Sequence, residues 1–302
     1  MNNSVKIDLT IVMVNYKSDR RKLHDCLNSI KVNIKVLIID HSKDLDLDTI
    51  IIPKNISLEI IKNENLGNGA GINCGIKNAK TKYILYLDID TVLPQNFFIG
   101  LENAINENND FAVMAPKIDN FYNDKRVEKF GNLSILKYFY NKFFYNIKKI
   151  ENFSTDLKQV YFVSGSIMLI NKEIVSNNKI MFDENIFLFF EEDDFFHQCF
   201  KLNLKIFLIN NLSAKHLDGS ISDDSLNYEC FKKWHWEWSK YYFLNKHYNK
   251  IIVLIIALKN FLKFMLKSTL FYFTNKKKFE IYKSRISGLT GFYLKKKCKI
   301  VF

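Results

Sequence analysis

The chain has 302 residues, of which 48 % are hydrophobic and 15 % aromatic, and a formal net charge of +12. A chain of this length buries a sizeable core, and its three prolines and ten glycines argue against a fibrous or disordered protein. The five cysteines form no Cys-x-x-Cys pair, which argues against a disulfide framework or a zinc site and favours a reducing compartment.

Positive charge is concentrated at the end of the chain. From Lys240 onward 15 basic residues stand against one acid, Glu280, whereas residues 1–239 carry 29 basic and 31 acidic residues. This asymmetry predicts two parts, a near-neutral one, residues 1–225, and a basic, aromatic-rich one, residues 226–302. A basic segment of this kind favours an anionic partner, either a membrane surface or a nucleic acid.

Apolar runs at residues 9–15, 36–39 and 57–61 predict strands, and Asp19 can cap a helix between the first two. Their alternation is typical of right-handed βαβ units and predicts an α/β fold. Glycines at positions 67, 69, 71 and 75 then allow close backbone approach and positive φ at the entrance to a helix, a suitable place for a nucleotide or phosphate. A tight loop without a ligand is the alternative interpretation.

The strand predicted at residues 83–87 ends in two carboxylates, Asp88 and Asp90. Ligands of open α/β sheets bind just beyond the carboxyl ends of the strands. Two acids there repel each other, so a cation between them stabilises them best. Carboxylate oxygens suit Mg²⁺ or Mn²⁺, which in turn hold phosphate oxygens. The segment predicts a metal and diphosphate site, with an ordinary surface turn before Pro94 as the alternative.

Further along, residues 95–106 predict a helix, and residues 111–115 and 205–209 predict strands. Residues 120–156 have no clear period and are interpreted as an insertion or a mobile loop over the site. Residues 160–170 predict one strand interrupted near Gly165, where glycine indicates a bend or a ligand close to the backbone. A loop containing His216 is expected at residues 214–220.

Four consecutive acids, residues 191–194, follow an aromatic run at residues 187–190. Acids favour a helix N-terminus, which accounts for one or two of them. Because they follow a very apolar stretch, the pKa of at least one carboxyl is expected to rise, which suits it to accept a proton.

Residues 251–273 form a long apolar segment in which Lys259, Lys263 and Lys267 share one helix face. The lysine row argues against a membrane span and favours an amphipathic helix in the membrane interface, followed by lysine triplets at 276–278 and 295–297. The alternative is a core-packing helix with a solvated lysine face.

In this order and spacing the motifs resemble those of the family 2 glycosyltransferases of GT-A fold, in particular the bacterial rhamnosyltransferase-like branch that builds surface polysaccharides. The resemblance runs from about Leu9 to about Tyr248. It implies a Rossmann-like catalytic domain with a mainly parallel central sheet flanked by helices, followed by a basic helical appendage.

The resemblance also implies roles for single residues. The ends of the first two strands are similar to the family's nucleotide-binding segments, residues 65–75 to the segment beside the diphosphate, and residues 163–166 to the strand on the acceptor side. The candidate donor-binding residues are Asn15, Asp40, Asn65, Gly67, Gly71, Asn73, Asp88 and Gly165.

Asp88 and Asp90 fit the family's metal-binding Asp-x-Asp. His216, followed by Gly219 and Ser220, is similar to the family's His-x-x-Gly-x-Ser loop, which makes His216 a third candidate ligand.

The acidic run is similar to the family's Glu-Asp-x-Asp, whose second acid is the catalytic base. Glu192 stands at that position where aspartate is usual. Whether Glu192 or a neighbour, Glu191 or Asp194, removes the proton is left open.

The implied activity is an inverting, metal-dependent transfer from a nucleotide-sugar donor, dTDP-rhamnose or a UDP-hexose. The acceptor is a hydroxyl of a growing surface glycan, such as lipopolysaccharide, O-antigen or capsule, free or lipid-linked. No signal peptide is visible at the polar N-terminus. Together with the basic tail, a lipid-linked acceptor predicts a cytoplasmic protein attached peripherally to the inner face of the cytoplasmic membrane. The oligomeric state is open.

Two other functions are compatible with parts of the sequence. A non-catalytic nucleotide- or nucleic-acid-binding protein would use the basic tail, but the acidic run would repel a polyanion, so no nucleic-acid partner is expected. A nucleotidyltransferase would need a glycine-rich, basic loop near the N-terminus, and residues 15–21 contain no glycine.

Overall fold

The computed structural model of the chain describes residues 7–120, 156–217 and 225–298. The insertion predicted at residues 120–156 lies outside these ranges except for its two end residues. Gly219 and Ser220, the last part of the predicted loop after His216, also lie outside them.

The described residues form nine strands and eight α-helices. The strands are β1 (Leu9–Asn15), β2 (Ile34–Asp40), β3 (Ile56–Lys62), β4 (Tyr83–Leu87), β5 (Thr91–Val92), β6 (Val113–Asn120), β7 (Leu157–Gln159), β8 (Ile167–Asn171) and β9 (Ile206–His216). The helices are α1 (Arg20–Ser29), α2 (Asn68–Asn78), α3 (Phe97–Glu107), α4 (Lys172–Asn177), α5 (Glu191–Lys201), α6 (Leu226–His247), α7 (Lys250–Thr274) and α8 (Lys276–Tyr293).

These residues divide into two compact units. The first is drawn from Met1–Glu64, Gly71–Met181 and Phe195–Ser222. The second is drawn from Asn65–Ala70, Phe182–Asp194 and Asp223–Phe302. The division predicted at residue 225 stays a prediction, and the second unit also takes in two short segments from the middle of the chain.

The first unit contains all nine strands in one sheet, in the order β3-β2-β1-β4-β8-β6-β9-β5, with β7 paired to β9. Strands β3, β2, β1 and β4 run parallel, as do β6 and β9, while β8 lies antiparallel to both of its neighbours. The α/β sheet expected from the alternation of strands and helices is confirmed.

The central strands are apolar because the sheet is buried on both faces. Ile11, Val12 and Met13 are consecutive in β1 and are all fully buried, and every residue of β4 is buried as well. Asp19 caps α1 by accepting a hydrogen bond from the N–H of Arg21 at 2.8 Å, as its place before the helix predicted.

Two predicted strand boundaries are wrong. Residues 160–166 are not part of a strand, since β7 ends at Gln159 and β8 begins at Ile167. In this segment the hydroxyls of Ser164 and Ser166 lie 2.9 Å apart, a local side-chain contact of the kind that competes with a strand ladder. Residues 214–216, predicted as a loop, belong to β9 because that strand is paired with β6 and β5 on its two sides.

Most of the glycine-rich segment, which was expected at the entrance to a helix, lies inside the helix. Among the described glycines, Gly67 has positive φ, at 103°. Gly69, Gly71 and Gly75 lie inside α2. A Cβ on Gly75 would collide with the γ-methyl groups of Val12 in β1, so this glycine lets the helix approach the strand.

Helices α6, α7 and α8 belong to the second unit. A Cβ on Gly288 of α8 would collide with the carbonyl of Trp234 in α6, and the indole N–H of Trp234 donates to Ser287 Oγ at 3.2 Å. Helix α7 coincides with the long apolar segment predicted at residues 251–273. Among the described helices we find none that combines the length and the apolar character required to cross a membrane.

The contact between Gly75 and Val12 can be tested by mutation. We expect Gly75→Ala to lower the free energy of unfolding by about 1–2 kcal/mol, because overpacking outweighs the better helix propensity of alanine. The Val12→Ala variant makes room, so Gly75→Ala should cost less in that background. Urea unfolding of the four proteins measures the coupling. Equal costs of Gly75→Ala in both backgrounds would contradict the packing role.

Candidate metal and donor site

Asp88 and Asp90 lie just past the carboxyl end of β4. The N–H of Asp88 donates to the carbonyl of Ser166 at 2.9 Å, and the N–H of Thr91 donates to the carbonyl of Asp88 at 3.1 Å. The turn leaves Asp88 half-buried and Asp90 only 2 % exposed. This burial does not fit an ordinary surface turn, in which both carboxylates would be solvated.

His216 reaches the two acids because β9 pairs with the two-residue strand β5. Thr91 lies opposite His216 in this ladder, and the N–H of Leu217 donates to the carbonyl of Asp90 at 2.9 Å. His216 Nε2 lies 3.1 Å from Asp90 Oδ1 and 3.4 Å from Asp88 Oδ2. The three candidate ligand atoms all lie within 4.8 Å of one another.

The two carboxylates stabilise positive charge on the imidazole. Burial alone would lower the pKa of His216. The imidazole donates to the carboxylates of Asp88 and Asp90, and these hydrogen bonds together with the two negative charges raise its pKa to about 10. Burial raises the pKa of Asp88, although hydrogen bonds from His216 and from the Tyr86 hydroxyl, at 2.6 Å, act in the opposite direction.

The donor set fits a divalent cation. Carboxylate oxygens are the preferred ligands of Mg²⁺ and Mn²⁺, and an imidazole nitrogen is accepted by Mn²⁺. The buried Oδ1 of Asp90 lies 3.1 Å from His216 Nε2 and, within the described part of the chain, has no other polar contact. A buried carboxylate oxygen in this state is suited to coordination.

A second polar cluster lies at the ends of the parallel strands β1 and β2. Asn15 Nδ2 donates to Asp40 Oδ1 at 2.7 Å and to Ser42 Oγ at 2.8 Å, and the N–H of Leu45 donates to Asp40 Oδ2 at 2.9 Å. Burial would raise the pKa of Asp40, but the bonds from Leu45, Asn15 and Ser42 lower it. Asp40 is therefore engaged in shaping the turn at residues 42–45.

Three further predicted donor residues, Gly71, Asn73 and Gly165, are buried in the first unit. A Cβ on Gly71 would meet the γ-methyl groups of Val14 at 2.7 and 2.9 Å. Gly71 thus serves the packing of α2 against β1, which is a sufficient structural reason for a glycine at this position.

The remaining predicted residues belong to the second unit. Asn65 Oδ1 accepts a hydrogen bond from the N–H of Gly67 at 3.2 Å. A Cβ on Gly67 would collide with the backbone of Phe187, so residues 65–67 fold closely over that peptide. Glu191 and Asp194 are buried, whereas Glu192 is half-buried.

A strained turn precedes the acidic run. Phe189 and Phe190 have φ of 65° and 68°, a region that bulky side chains rarely adopt. Their rings pack against the Trp236 ring at centroid distances of 5.3 and 5.2 Å, and Ser239 Oγ donates to the carbonyl of Leu188 at 2.8 Å. These contacts with α6 fix the backbone just before the acidic run. Positive φ at bulky residues is a form of backbone strain that is often found at functional sites.

Asp194 is paired with two basic residues of α6 that were missed in the sequence analysis. Lys246 Nζ lies 2.8 Å from Asp194 Oδ1 and 2.9 Å from its Oδ2, and His247 Nε2 lies 2.6 Å from Oδ1. Lys246 also donates to Asp183 Oδ2 at 2.6 Å. Burial would raise the pKa of Asp194, but its bonds to His247 and Lys246 lower it. Asp194 is thus an anchor between α5 and α6.

The pKa of the neighbouring Asp193, which is half-buried, shifts in the opposite direction. Burial, and then the charge of Asp194, raise the pKa of Asp193 to about 6.

This contrast predicts opposite effects of two matched variants on stability. Because the folded pKa of Asp194 is depressed, its stabilisation is present above the unfolded pKa, about 3.9, and is lost as pH falls. At pH 8 we expect Asp194→Asn to lower the free energy of unfolding by about 3–5 kcal/mol. Because the folded pKa of Asp193 is raised, the cost of its ionisation builds up between the unfolded pKa, about 3.9, and pH 6, and is fully present above pH 6. Asp193→Asn should then be more stable than wild type by about 1–2 kcal/mol.

Urea unfolding at pH 8 and at pH 4 tests both variants. The advantage of Asp193→Asn should disappear at pH 4, where the wild-type carboxyl is protonated in the folded state. Equal destabilisation by both variants at pH 8 would contradict the assignment of an anchor and a destabilised carboxyl.

Comparison with known proteins identifies the family. The sequence profile described as glycosyl transferase family 2 matches residues 10–178, more than half of the chain. An uncharacterised glycosyltransferase of Rickettsia prowazekii (strain Madrid E) is 34 % identical over 88 residues, which are 29 % of this chain and 26 % of that protein.

Two solved structures are similar in fold. The crystal structure of GalNAc-T7 with UDP, GalNAc and Mn²⁺ matches with a TM-score of 0.54 at 16 % identity, over 79 % of this chain and 50 % of that chain. S. aureus TarS, residues 1–349, matches with a TM-score of 0.51 at 12 % identity, over 96 % of this chain and 92 % of that one. This chain thus spans about a quarter of the Rickettsia relative and half of GalNAc-T7. It belongs to glycosyl transferase family 2 and has the GT-A fold.

Proposed function

We propose that this protein transfers a sugar from a nucleotide-diphosphate donor to a hydroxyl of a growing surface glycan, with inversion at the anomeric carbon. The observation that carries the proposal is the group of Asp88, Asp90 and His216 at the carboxyl end of β4 in a chain of glycosyl transferase family 2. Support comes from GalNAc-T7, a protein of similar fold that was crystallised with UDP, GalNAc and Mn²⁺.

Asp88, Asp90 and His216 would hold Mg²⁺ or Mn²⁺. A bound divalent cation supplies the positive charge that stabilises a leaving diphosphate. The residues themselves keep the ligand atoms in place, since Asp90 is buried and His216 is fixed by the β5–β9 ladder.

The nucleotide would lie against the turn at residues 42–45, which Asn15 and Asp40 hold by hydrogen bonds. The candidate donors are dTDP-rhamnose and a UDP-hexose. Asn65, Gly67, Gly71, Asn73 and Gly165 remain proposed donor-binding residues.

Glu192 is the proposed base. Both carboxylate oxygens of Asp194 are engaged by Lys246, and Glu191 is buried, whereas Glu192 is half-buried and more accessible to an acceptor hydroxyl. Glu192 would take the proton of the acceptor hydroxyl while the acceptor oxygen bonds to the anomeric carbon. The bond from that carbon to the diphosphate oxygen breaks at the same time, and its electron pair leaves with the nucleoside diphosphate.

The acceptor is proposed to be a glycan hydroxyl of lipopolysaccharide, O-antigen or capsule. If the glycan is lipid-linked, the protein would work at the inner face of the cytoplasmic membrane. None of the comparisons supports the alternative of a non-catalytic nucleic-acid-binding protein.

Donor turnover tests the proposal. Purified protein is incubated with Mn²⁺ or Mg²⁺, a panel of UDP-, dTDP- and GDP-sugars and a glycan acceptor extract, and release of nucleoside diphosphate is followed. We expect metal-dependent release from one donor. Asp90→Asn should abolish it, and Glu192→Gln should lower it by about 10²–10⁴-fold through loss of general-base catalysis.

Two controls make the result specific. Asp110→Asn removes an exposed carboxylate that pairs with Lys205, and it should leave turnover unchanged. Asp193→Asn separates the proposed base from the acid beside it and should retain turnover. Loss of activity in Asp193→Asn with retention in Glu192→Gln would move the base to Asp193, and undiminished activity of Asp90→Asn would overturn the metal site. The anomeric configuration of the product, determined by NMR, tests inversion.

A further inference from the structure

We propose that one face of helix α7 inserts into the surface of an anionic lipid bilayer. The residues that would contact the bilayer all belong to the second unit, and binding to lipid does not require the transferase activity.

The buried side of α7 is narrow and packs within the second unit. Val253, Ala257, Phe264 and Ser268 are buried and recur at spacings of four and seven residues, which places them on one side of the helix. The Phe264 ring lies 6.1 Å from the Tyr282 ring of α8. This side accounts for the packing of the helix.

The opposite side of α7 is apolar and exposed to solvent. Six of its apolar side chains are between 55 and 83 % exposed and recur at spacings of three, four and seven residues. They are Ile251, Ile255, Leu258, Leu262, Leu266 and Phe273. At about 3.6 residues per turn this row extends along nearly the whole 25-residue helix, about 37 Å. A continuous exposed row of this length indicates an interaction surface, because single exposed apolar residues would be scattered.

The charges beside this face identify its partner. Helix α7 carries four lysines and no acid. Lys259 and Lys263 are exposed and lie one turn apart beside the apolar row, and three more exposed lysines, at positions 276–278, follow Phe273. Long lysine side chains at the edge of an apolar face place their ammonium groups at the headgroup level.

A second copy of this chain fits the same face less well. Pairing of two α7 helices would bring lysine rows together without an acid on either helix to compensate them. An anionic bilayer accepts the apolar row and the lysines at once. Since no described helix is suited to cross a membrane, the helix would lie in the plane of the interface.

Vesicle sedimentation with the full-length protein tests this inference. The protein is mixed with vesicles of phosphatidylcholine containing phosphatidylglycerol, and in parallel with vesicles of phosphatidylcholine alone. We expect strong binding to the anionic vesicles and weak binding to the neutral ones. Leu262→Gln/Leu266→Gln should lower partitioning by at least about tenfold, since two apolar side chains are withdrawn from the interface.

The matched control is Ile51→Gln/Ile99→Gln. These residues are 73 and 65 % exposed, close to the 62 and 74 % of Leu262 and Leu266, but they lie in the first unit. The control should bind vesicles like wild type, and circular dichroism should show unchanged helix content in both double variants.

A charge variant separates the electrostatic from the apolar contribution to vesicle binding. Lys259→Gln/Lys263→Gln should weaken binding to anionic vesicles by about fivefold for each lysine and leave binding to neutral vesicles unchanged. Equal losses on both kinds of vesicle would overturn the electrostatic part of the proposal.

Three other results would overturn the inference as a whole. They are failure of wild type to bind anionic vesicles, equal binding by wild type and Leu262→Gln/Leu266→Gln, and a dimer in analytical ultracentrifugation that this variant disperses in the absence of vesicle binding. Asp90→Asn should bind vesicles like wild type, so failure of the transferase proposal and failure of this inference are distinguishable.

Discussion

Two carboxylates beyond the end of a fully buried strand repel each other, and the structure compensates them with a third residue from far along the chain. Asp88 and Asp90 follow β4, and His216 is brought to them by the short ladder between β5 and β9. The compensation depends on the sheet, because β9 is itself positioned by pairing with β6. The strand pairings that stabilise the sheet therefore also bring the three candidate ligands together.

In the second unit, two neighbouring acids differ in their contacts and in the direction of their pKa shifts. Asp194 is paired with Lys246 and His247 and anchors the start of α5, whereas Asp193 is half-buried and burial raises its pKa. The turn at Phe189 and Phe190 is held in positive φ by packing against α6. The stability of α6 is thereby linked to the geometry of the acidic run, which is the segment that carries the proposed base.

The sequence predicted what local patterns determine. Asp88 and Asp90 were identifiable because an apolar strand directly precedes them, and the long helix at residues 251–273 was visible from its composition. The approach of His216 depends on strand register, and the partners of Asp194 lie about 50 residues away in the sequence, so no local pattern reveals them. The positive φ of Phe189 and Phe190 could not be predicted because bulky aromatic residues rarely adopt that conformation. Gly71 and Gly75 were predicted at the entrance to a helix beside a ligand, whereas they lie inside α2 and allow it to pack on β1.

The central claim is that Asp88, Asp90 and His216 form a cation site, and direct titration of the protein with Mn²⁺ in the absence of substrate tests it most closely. Electron paramagnetic resonance of free Mn²⁺ should reveal a single saturable site in wild type that is retained in His24→Asn, a half-buried histidine of α1, and lost in His216→Asn/Asp90→Asn. Equal binding of Mn²⁺ by wild type and by His216→Asn/Asp90→Asn would contradict the claim.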